Sequence, residues 1–164
     1  MKKLCETKIF GVKVNYKVTT AISGEYLAKS INKRIGDGAI FWNNTEVLVK
    51  DTNWFDVAQL LKSSHDLDFN YLSAITAVDY VEYFEVIYHL ISLQFNHSAI
   101  LKLRIFDREN PSVSSVTSIW KGADLQEREI WDLMGVHFDN HYNLKRILLW
   151  EEFPGHPLRK DFLR

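Results

Sequence analysis

The chain has 164 residues, and its hydrophobic fraction of 46% supplies enough apolar surface for one domain, which excludes a disordered or fibrous chain. Lysine and arginine total 20 against 21 acidic residues, a balance that argues against a dedicated nucleic-acid-binding protein. The single cysteine, Cys5, cannot form an internal disulfide or ligate an iron–sulfur cluster alone. No apolar run approaches the ~18 residues of a membrane span, and the charged start lacks a secretion signal. We expect a soluble cytoplasmic protein.

The first third of the sequence predicts two helices separated by a pair of strands. Apolar residues recur at helical spacing over 23–35, and a glycine follows them. Residues 39–42 and 45–49 have the pattern of short strands around a tight turn. The side chains of 51–53 are suited to cap a second helix with an apolar stripe.

The middle of the sequence predicts strands. Residues 71–78 are mixed apolar, 83–95 are rich in β-branched and aromatic residues, and 99–106 alternate between apolar and charged. The short step at 96–98 suits a hairpin between the last two. Residues 113–120 fit either a strand or a short helix.

The pattern returns to a helix over 124–134, which Gly135 ends. Helices and strands that do not alternate regularly predict a single α+β domain, with a mixed or antiparallel sheet covered by helices. We assign residues 1–152 to this core domain and residues 153–164 to an extended C-terminal tail.

The tail is expected to bind a partner. Pro154 and Pro157 keep it extended, and its apolar residues Leu158, Phe162 and Leu163 are too few to form a core of their own. Such a segment is expected to be disordered alone and ordered against another protein. Its removal is then expected to leave thermal unfolding nearly unchanged.

Sites of chemistry are weakly indicated. His137, Asp139 and His141 would share one face of an extended segment, which suits a metal, but histidines beside acids are more often simply hydrogen-bonded. Arg128 and Asp132 stand one helical turn apart and can pair, and Arg128 can equally pair with groups beyond the helix, so a structural role is expected. The sequence lacks a nucleophile elbow and a glycine-rich phosphate loop.

A motif in the last quarter of the chain carries a resemblance. The sequence Glu-Arg-Glu-Ile-Trp-Asp-Leu-Met-Gly-Val-His-Phe over 127–138, the Arg-Ile-Leu of 146–148 and the Pro-Leu-Arg-Lys-Asp-Phe of 157–162 closely resemble the thirty-kilodalton subunit of respiratory complex I. Weaker agreement extends to 74–80 and 86–88. The chain departs from the family at 140–142, where Asn-His-Tyr replaces a common Gly-His-Pro, and it ends without the long C-terminal extension of many members.

The resemblance implies a subunit of the peripheral arm without an active site, cofactor or metal of its own. It would support the large quinone-site subunit and the iron–sulfur subunits, on the cytoplasmic face of the membrane, with membrane contact only through the complex. That complex, NADH:quinone oxidoreductase, uses NADH, FMN, iron–sulfur clusters and quinone and couples electron transfer to proton translocation. The resemblance also implies a set of partner-binding residues: Glu127, Arg128, Asp132, His141, Arg146, Pro157, Leu158, Arg159, Lys160 and Asp161.

Two alternatives stay open at this point. Membrane-bound nickel–iron hydrogenases and deazaflavin-oxidising complexes use a homologous subunit that this sequence alone does not separate from that of complex I. A free-standing metal-dependent hydrolase built on His137, Asp139 and His141 is the alternative from a different class.

Overall fold

The computed structural model describes residues 4–9 and 12–162 of the chain. The charged first three residues, on which the expectation about a secretion signal depends, lie outside this part, and so does Leu163 of the predicted tail. The helices are α1 (Gly24–Ile35), α2 (Trp54–Ser63) and α3 (Ala123–Met134). The strands are β1 (Leu4–Ile9), β2 (Val12–Lys17), β3 (Thr20–Ala21), β4 (Ala39–Trp42), β5 (Glu46–Val49), β6 (Tyr71–Asp79), β7 (Phe84–Ser92), β8 (His97–Ile105), β9 (Ser112–Ser114) and β10 (His137–Asp139).

The centre of the fold is a six-stranded mixed sheet in the order β4-β5-β8-β7-β6, with β3 beside the start of β8. Strands β6, β7 and β8 pair antiparallel, and β5 pairs parallel with β8. Strands β1 and β2 form a separate antiparallel hairpin, and β9 pairs parallel with β10. The predicted α+β class with a mixed sheet is therefore confirmed.

The core lies between the sheet and helices α1 and α2. Alternate residues of β7 and β8 are buried, as expected for strands with one covered face. The apolar stripes of both helices join the same core, and Trp54 and Leu61 of α2 have no exposed surface. None of the helices in the described ranges combines the length and apolar character of a bilayer-spanning helix.

Several element boundaries differ from those predicted. Residues 51–53 form a single 3-10 turn before α2, and no side chain caps that helix. Strand β7 ends at Ser92 instead of running to 95, because residues 93–96 form the turn of the hairpin. The ambiguous segment 113–120 is mainly turns, which follow the short strand β9.

The C-terminal tail lies on its own domain. The backbone N–H of Lys160 donates to Asp79 Oδ2 at the end of β6, and the N–H of Leu158 donates to the carbonyl of Leu133 in α3. Residues 153–161 contain turns at 157–158 and 160–161 and no strand. Two backbone donors of the tail therefore have acceptors on other elements of this chain. The binding of the tail to a partner stays a prediction.

Candidate functional site

The strongest polar centre of the molecule is the carboxylate of Asp132 on α3, whose side chain has no exposed surface. Its Oδ2 accepts hydrogen bonds from three successive backbone N–H groups, those of Ile147, Leu148 and Leu149, at 3.0, 2.8 and 3.0 Å. Its Oδ1 accepts from Arg146 at 2.7 Å. Burial alone would raise the pKa of Asp132, but these donors outweigh it and lower the pKa to about 2. A permanently ionised aspartate thus fixes the turn at 146–149.

Arg146 extends this centre towards the tail. Its guanidinium also donates to the carbonyls of Phe153 and Gly155, at 2.8 and 3.2 Å, and lies 5.8 Å from the centre of the Trp131 ring. Arg146 is the first residue of 146–155, and its guanidinium binds both Asp132 on α3 and the carbonyls near the end of this segment. Residues 146–155 are therefore held as a closed loop on the helix.

Arg128 acts on the same segment from one turn earlier in α3. Its side chain donates to the carbonyls of Lys145 and Arg146, both at 3.1 Å. Of the two predicted possibilities, the structure shows Arg128 paired with groups beyond the helix and not with Asp132. Arg146 and the three N–H groups already bind the carboxylate of Asp132, and Arg128 donates its hydrogen bonds to backbone carbonyl groups instead.

Glu127 is a second buried carboxylate on α3, but its surroundings differ. It accepts from Ser115 Oγ at 2.6 Å and from the backbone N–H of Val116 at 2.8 Å. Within the described structure no lysine or arginine pairs with it, and the nearest ionisable nitrogen is Nε2 of His141, 4.0 Å away. Burial raises the pKa of Glu127 to about 7, against these hydrogen bonds and with a further contribution from Asp124. Glu127 therefore changes charge near neutral pH.

His141 closes this buried cluster. Its side chain has no exposed surface, and its Nδ1 accepts the backbone N–H of Asn143 at 3.0 Å. The proton of the neutral ring therefore sits on Nε2, which donates to the carbonyl of Asp124 at 3.2 Å. This arrangement fixes the ring and ties the loop after β10 to the start of α3.

The proposed metal ligands do not converge. His137 Nδ1 and Asp139 Oδ1 lie 3.1 Å apart on the exposed side of β10, whereas His141 points into the cluster beneath α3. Across the described residues no group of three or more histidine, cysteine or acidic side chains is placed to hold a metal ion. The geometry agrees with hydrogen-bonded histidines.

The tail is attached at a second polar centre, Asp79, where β6 ends. Asp79 forms two hydrogen bonds with Arg108, at 2.7 and 3.0 Å, and accepts the backbone N–H of Lys160 at 3.0 Å. The Arg108 guanidinium is the largest cause that holds the pKa of Asp79 well below its usual range. Arg108 also reaches Asp161 at 3.1 Å, and Arg159 donates to the carbonyl of Arg108.

Gly135 lets the tail approach α3 closely. Its φ of 75° lies in the left-handed region, which ends α3. A Cβ at this position would lie 2.6 Å from the ring of His156. His156 Nδ1 in turn lies 2.9 Å from the carbonyl of Asp132. Any larger residue at 135 would push the tail off the helix.

Sequence reasoning missed Asp79, Arg108 and His156. The sequence holds one usable signal, an aspartate that directly ends a long apolar strand, since burial of such a residue demands a partner. Among the predicted partner-binding residues, Glu127 and Asp132 are fully buried and the side chain of His141 is too. Their part in partner binding stays a prediction, and it would be exerted through the segments that they hold.

The held segment presents apolar side chains outwards. Leu148 is 62% exposed, Trp150 is 65% exposed and Leu158 is 58% exposed. Exposed apolar groups that lie together on a fixed backbone are typical of protein–protein contacts. We call these residues, with Tyr142 and Ile147, the C-terminal surface. Arg128 and Arg146, which hold the backbone of this segment, are half-buried, and Lys160 and Asp161 in the tail are exposed.

Comparisons with known proteins agree with the motif. A family model described as the 30 kDa subunit of respiratory-chain NADH dehydrogenase matches residues 47–164. An NADH-quinone oxidoreductase subunit of Roseiflexus sp. (strain RS-1) is 41% identical over 140 residues, which are 84% of this chain and 80% of that protein. Its counterpart of the same name in Moorella thermoacetica is 50% identical over 96 residues, 57% of this chain and 64% of that protein.

A solved structure is also similar. One chain of the membrane-bound sulfane sulfur reductase, an archaeal respiratory membrane complex, aligns with a TM-score of 0.68 and 26% identity over 84% of each chain. Together with the family model and the sequence relatives, this confirms the resemblance carried by the motif. The chain belongs to the family of the 30 kDa subunit of respiratory-chain NADH dehydrogenase.

Proposed function

We propose that the chain is a non-catalytic subunit of the peripheral arm of an NADH:quinone oxidoreductase, and that its C-terminal surface docks on the large subunit that adjoins the quinone site. The observation that carries this proposal is the contrast within one segment. The backbone of 146–155 is fixed by Asp132 and Arg146, while Leu148 and Trp150 are exposed. A segment ordered in advance loses less conformational entropy when it binds.

The proposal places all redox chemistry in other subunits. NADH, FMN, the iron–sulfur clusters and quinone belong to the complex, and this chain holds the large subunit in position at the cytoplasmic face of the membrane. Electron transfer from NADH to quinone, coupled to proton translocation, is then the activity of the assembly. The buried polar contacts of Glu127, Asp132 and His141 support this, because each of them fixes the shape of a segment of this chain.

A second candidate has support from one observation. The likeness to a chain of an archaeal sulfane sulfur reductase complex shows that this fold also occurs in a respiratory complex named for a different reaction. The same docking role, within a membrane-bound hydrogenase or a related complex, is therefore the alternative. The identity of the proteins that co-purify with the tagged chain distinguishes the two.

The test is capture of the large subunit by the full chain. The double variant Leu148→Ser and Trp150→Ser is expected to reduce capture at least about tenfold, since central aromatic and aliphatic anchors carry most of the binding energy of an interface. Leu93→Ser is the matched control, because Leu93 is 67% exposed on the turn between β7 and β8. Equal capture by the double variant and the control would overturn the proposal.

A further inference from the structure

The outer strand of the sheet carries an exposed apolar surface of its own. Strand β4 is the last strand in the sheet order, and no strand of the described residues pairs with its other side. Three successive residues of β4 are exposed: Ile40 by 55%, Phe41 by 61% and Trp42 by 40%. Phe106, 68% exposed at the end of β8, lines a shallow depression of about 200 Å³ together with Ile40. We call these four residues the edge surface.

The edge surface lacks most devices that usually protect an edge strand. Proteins commonly place lysine or proline on such strands. β4 has neither, and both of its faces are apolar, since side chains alternate along a strand. Only its first residue is covered: the Asn32 side chain bonds both the N–H and the carbonyl of Ala39, at 2.7 and 2.9 Å.

The hydrogen-bond register leaves the backbone of Trp42 free to pair. The N–H of Asn43 donates to the carbonyl of Glu46, which makes that pair a hydrogen-bonded one. Hydrogen-bonded pairs alternate with non-bonded pairs in an antiparallel ladder, and Trp42 lies opposite Val47, the next pair along. The N–H and carbonyl of Trp42 therefore point away from β5, towards the open side.

Some of the charges near this surface are paired within the chain. Lys102 contacts Glu46 at 3.0 Å and Glu85 at 3.4 Å, and Arg104 contacts Glu85 at 3.2 Å. Lys50 and Asp51, both exposed, line the depression beside Ile40 and Phe106. The four exposed apolar side chains favour an apolar and extended segment, and Lys50 and Asp51 lie at one end of this surface.

The edge surface is too small to hold a second copy of this chain in a stable dimer. The four side chains offer on the order of 400 Å², because a large aromatic side chain carries roughly 150–250 Å² in total. A stable interface buries about 800 Å² on each partner. A chain anchored elsewhere can use so small a contact, since anchoring raises its local concentration.

Aromatic rings extend from Phe106 across the end of the sheet. The Phe106 ring lies 5.4 Å from the Tyr83 ring, which lies 5.2 Å from Tyr80. Tyr80 follows Asp79, the residue that binds the backbone of Lys160 in the tail. A row of aromatic rings thus runs from Phe106 at the end of β8 towards the end of β6, where the tail is attached.

From these observations we infer that an extended apolar segment of another subunit, anchored through the C-terminal surface or beside it, adds a strand to the free edge of β4 by pairing with the backbone of Trp42. The inference rests on the proposed function, because it needs a partner held at the C-terminal surface. It supplies a second, backbone-mediated contact between this subunit and the rest of the complex.

Hydrogen–deuterium exchange tests the pairing directly. The Trp42 amide is expected to exchange fast in the isolated full chain and about tenfold slower or more in the purified complex. Equal exchange in both states would overturn the inference while leaving capture through the C-terminal surface intact. Slow exchange that depends on the concentration of the isolated chain would identify a second copy as the occupant and would also overturn it.

Trp42→Pro removes the amide that is proposed to pair. The edge position tolerates proline because this N–H lies outside the chain's own ladder. Trp42→Pro is expected to weaken retention of the partner several-fold relative to Leu93→Ser. Trp42→Lys keeps the native backbone but adds a charge at the edge, and it is expected to weaken retention to a similar degree. Normal retention with both variants would overturn the inference. Failure of the unmodified chain to capture any partner would instead overturn the proposed function and this inference together.

Discussion

The central sheet and the C-terminal segment are held by different forces. In the sheet, β7 and β8 pair along nine residues each, and the alternate side chains Val86, Tyr88, Leu101 and Leu103 have no exposed surface. The stabilising free energy comes from burial of apolar area, roughly 25 cal/mol per Å², and from regular hydrogen bonds between strands, and it is distributed over many residues. No single polar side chain decides whether these strands form.

The segment from 140 to 162 contains neither a helix nor a strand, and a few buried polar side chains decide its shape. Asp132 alone accepts three successive backbone N–H groups, and Asp79 accepts the backbone of the tail. The difference teaches that an irregular segment can be fixed as firmly as a strand when buried charges satisfy its backbone. Its apolar side chains then stay free to face a partner.

The largest expected effect comes from removing the carboxylate of Asp132. Asp132→Ala leaves the half-buried Arg146 unpaired and three backbone N–H groups without an acceptor, so the free energy of unfolding should fall by about 3–5 kcal/mol. Chemical denaturation measures the loss. Glu129→Ala, an exposed acid on the same helix, is the matched control.

Hydrogen exchange shows whether the two regions are as different as the contacts indicate. In Asp132→Ala the amides of 147–149 should lose protection, while those of β7 and β8 keep theirs until global unfolding. A uniform loss of protection across the sheet would show that the two regions are one cooperative unit and would remove the contrast between them.

The next effect concerns Glu127 and depends on pH. The pKa of Glu127 rises from 4.5 to about 7 on folding, so the folded protein keeps a proton that the unfolded chain releases. The contribution of Glu127 to the free energy of unfolding is full below pH 4.5. It falls as pH rises from 4.5 to 7 and is constant above pH 7, with a total loss of about 3 kcal/mol. Glu127→Gln mimics the protonated acid and should remove this part of the pH dependence.

The measurement is the difference in unfolding free energy between the unmodified chain and Glu127→Gln from pH 4.5 to 8. The variant should gain stability relative to the unmodified chain as pH rises. Glu129→Gln should show no such change. A difference that stays constant with pH would mean that Glu127 keeps an ordinary pKa when buried.

Much of the sheet and its helices was predictable from the sequence. Apolar spacing and a terminal glycine marked α1 and α3, and alternation marked β8, because these signals are local. The contacts of the C-terminal segment were not predictable in the same way. Helical spacing allowed Arg128 to meet Asp132, but it could not reveal that Arg146, 14 residues further along, competes for that carboxylate.

The contacts that hold the tail on the domain were not predictable for a related reason. The tail's few apolar residues indicate correctly that it has no core of its own. What holds it, however, is the pair of acceptors at Asp79 and Leu133, which lie 81 and 25 positions before their tail partners Lys160 and Leu158. No composition signal in 153–164 reports on acceptors that belong to distant elements.

Removing the tail should therefore have a moderate effect. Deletion of 154–164 removes the bonds of Leu158 and Lys160 and the contact of Arg108 with Asp161, but it leaves Asp79 paired with Arg108. It also removes the bonds that Gly155, His156 and Arg159 make with Arg146, Asp132 and Arg108. The free energy of unfolding should fall by about 2–4 kcal/mol, since each net hydrogen bond is worth roughly 0.5–1.5 kcal/mol and the exposed ones lie at the low end. Thermal unfolding measures the loss, and an unchanged melting temperature would support the expectation that the tail is independent of the domain.

The smallest expected effect sharpens the contrast between buried and exposed charges. Asp161 contacts Arg159 at 2.9 Å and Arg108 at 3.1 Å, and the hydrogen bond from Arg159 is the largest cause that lowers its pKa, to about 2. Half of its side chain is exposed, however, so water and salt screen these pairs. Asp161→Asn should cost less than about 1 kcal/mol, and the cost should shrink further in high salt. Denaturation at low and high ionic strength measures both, and a loss as large as that of Asp132→Ala would show that burial is not what separates the two carboxylates.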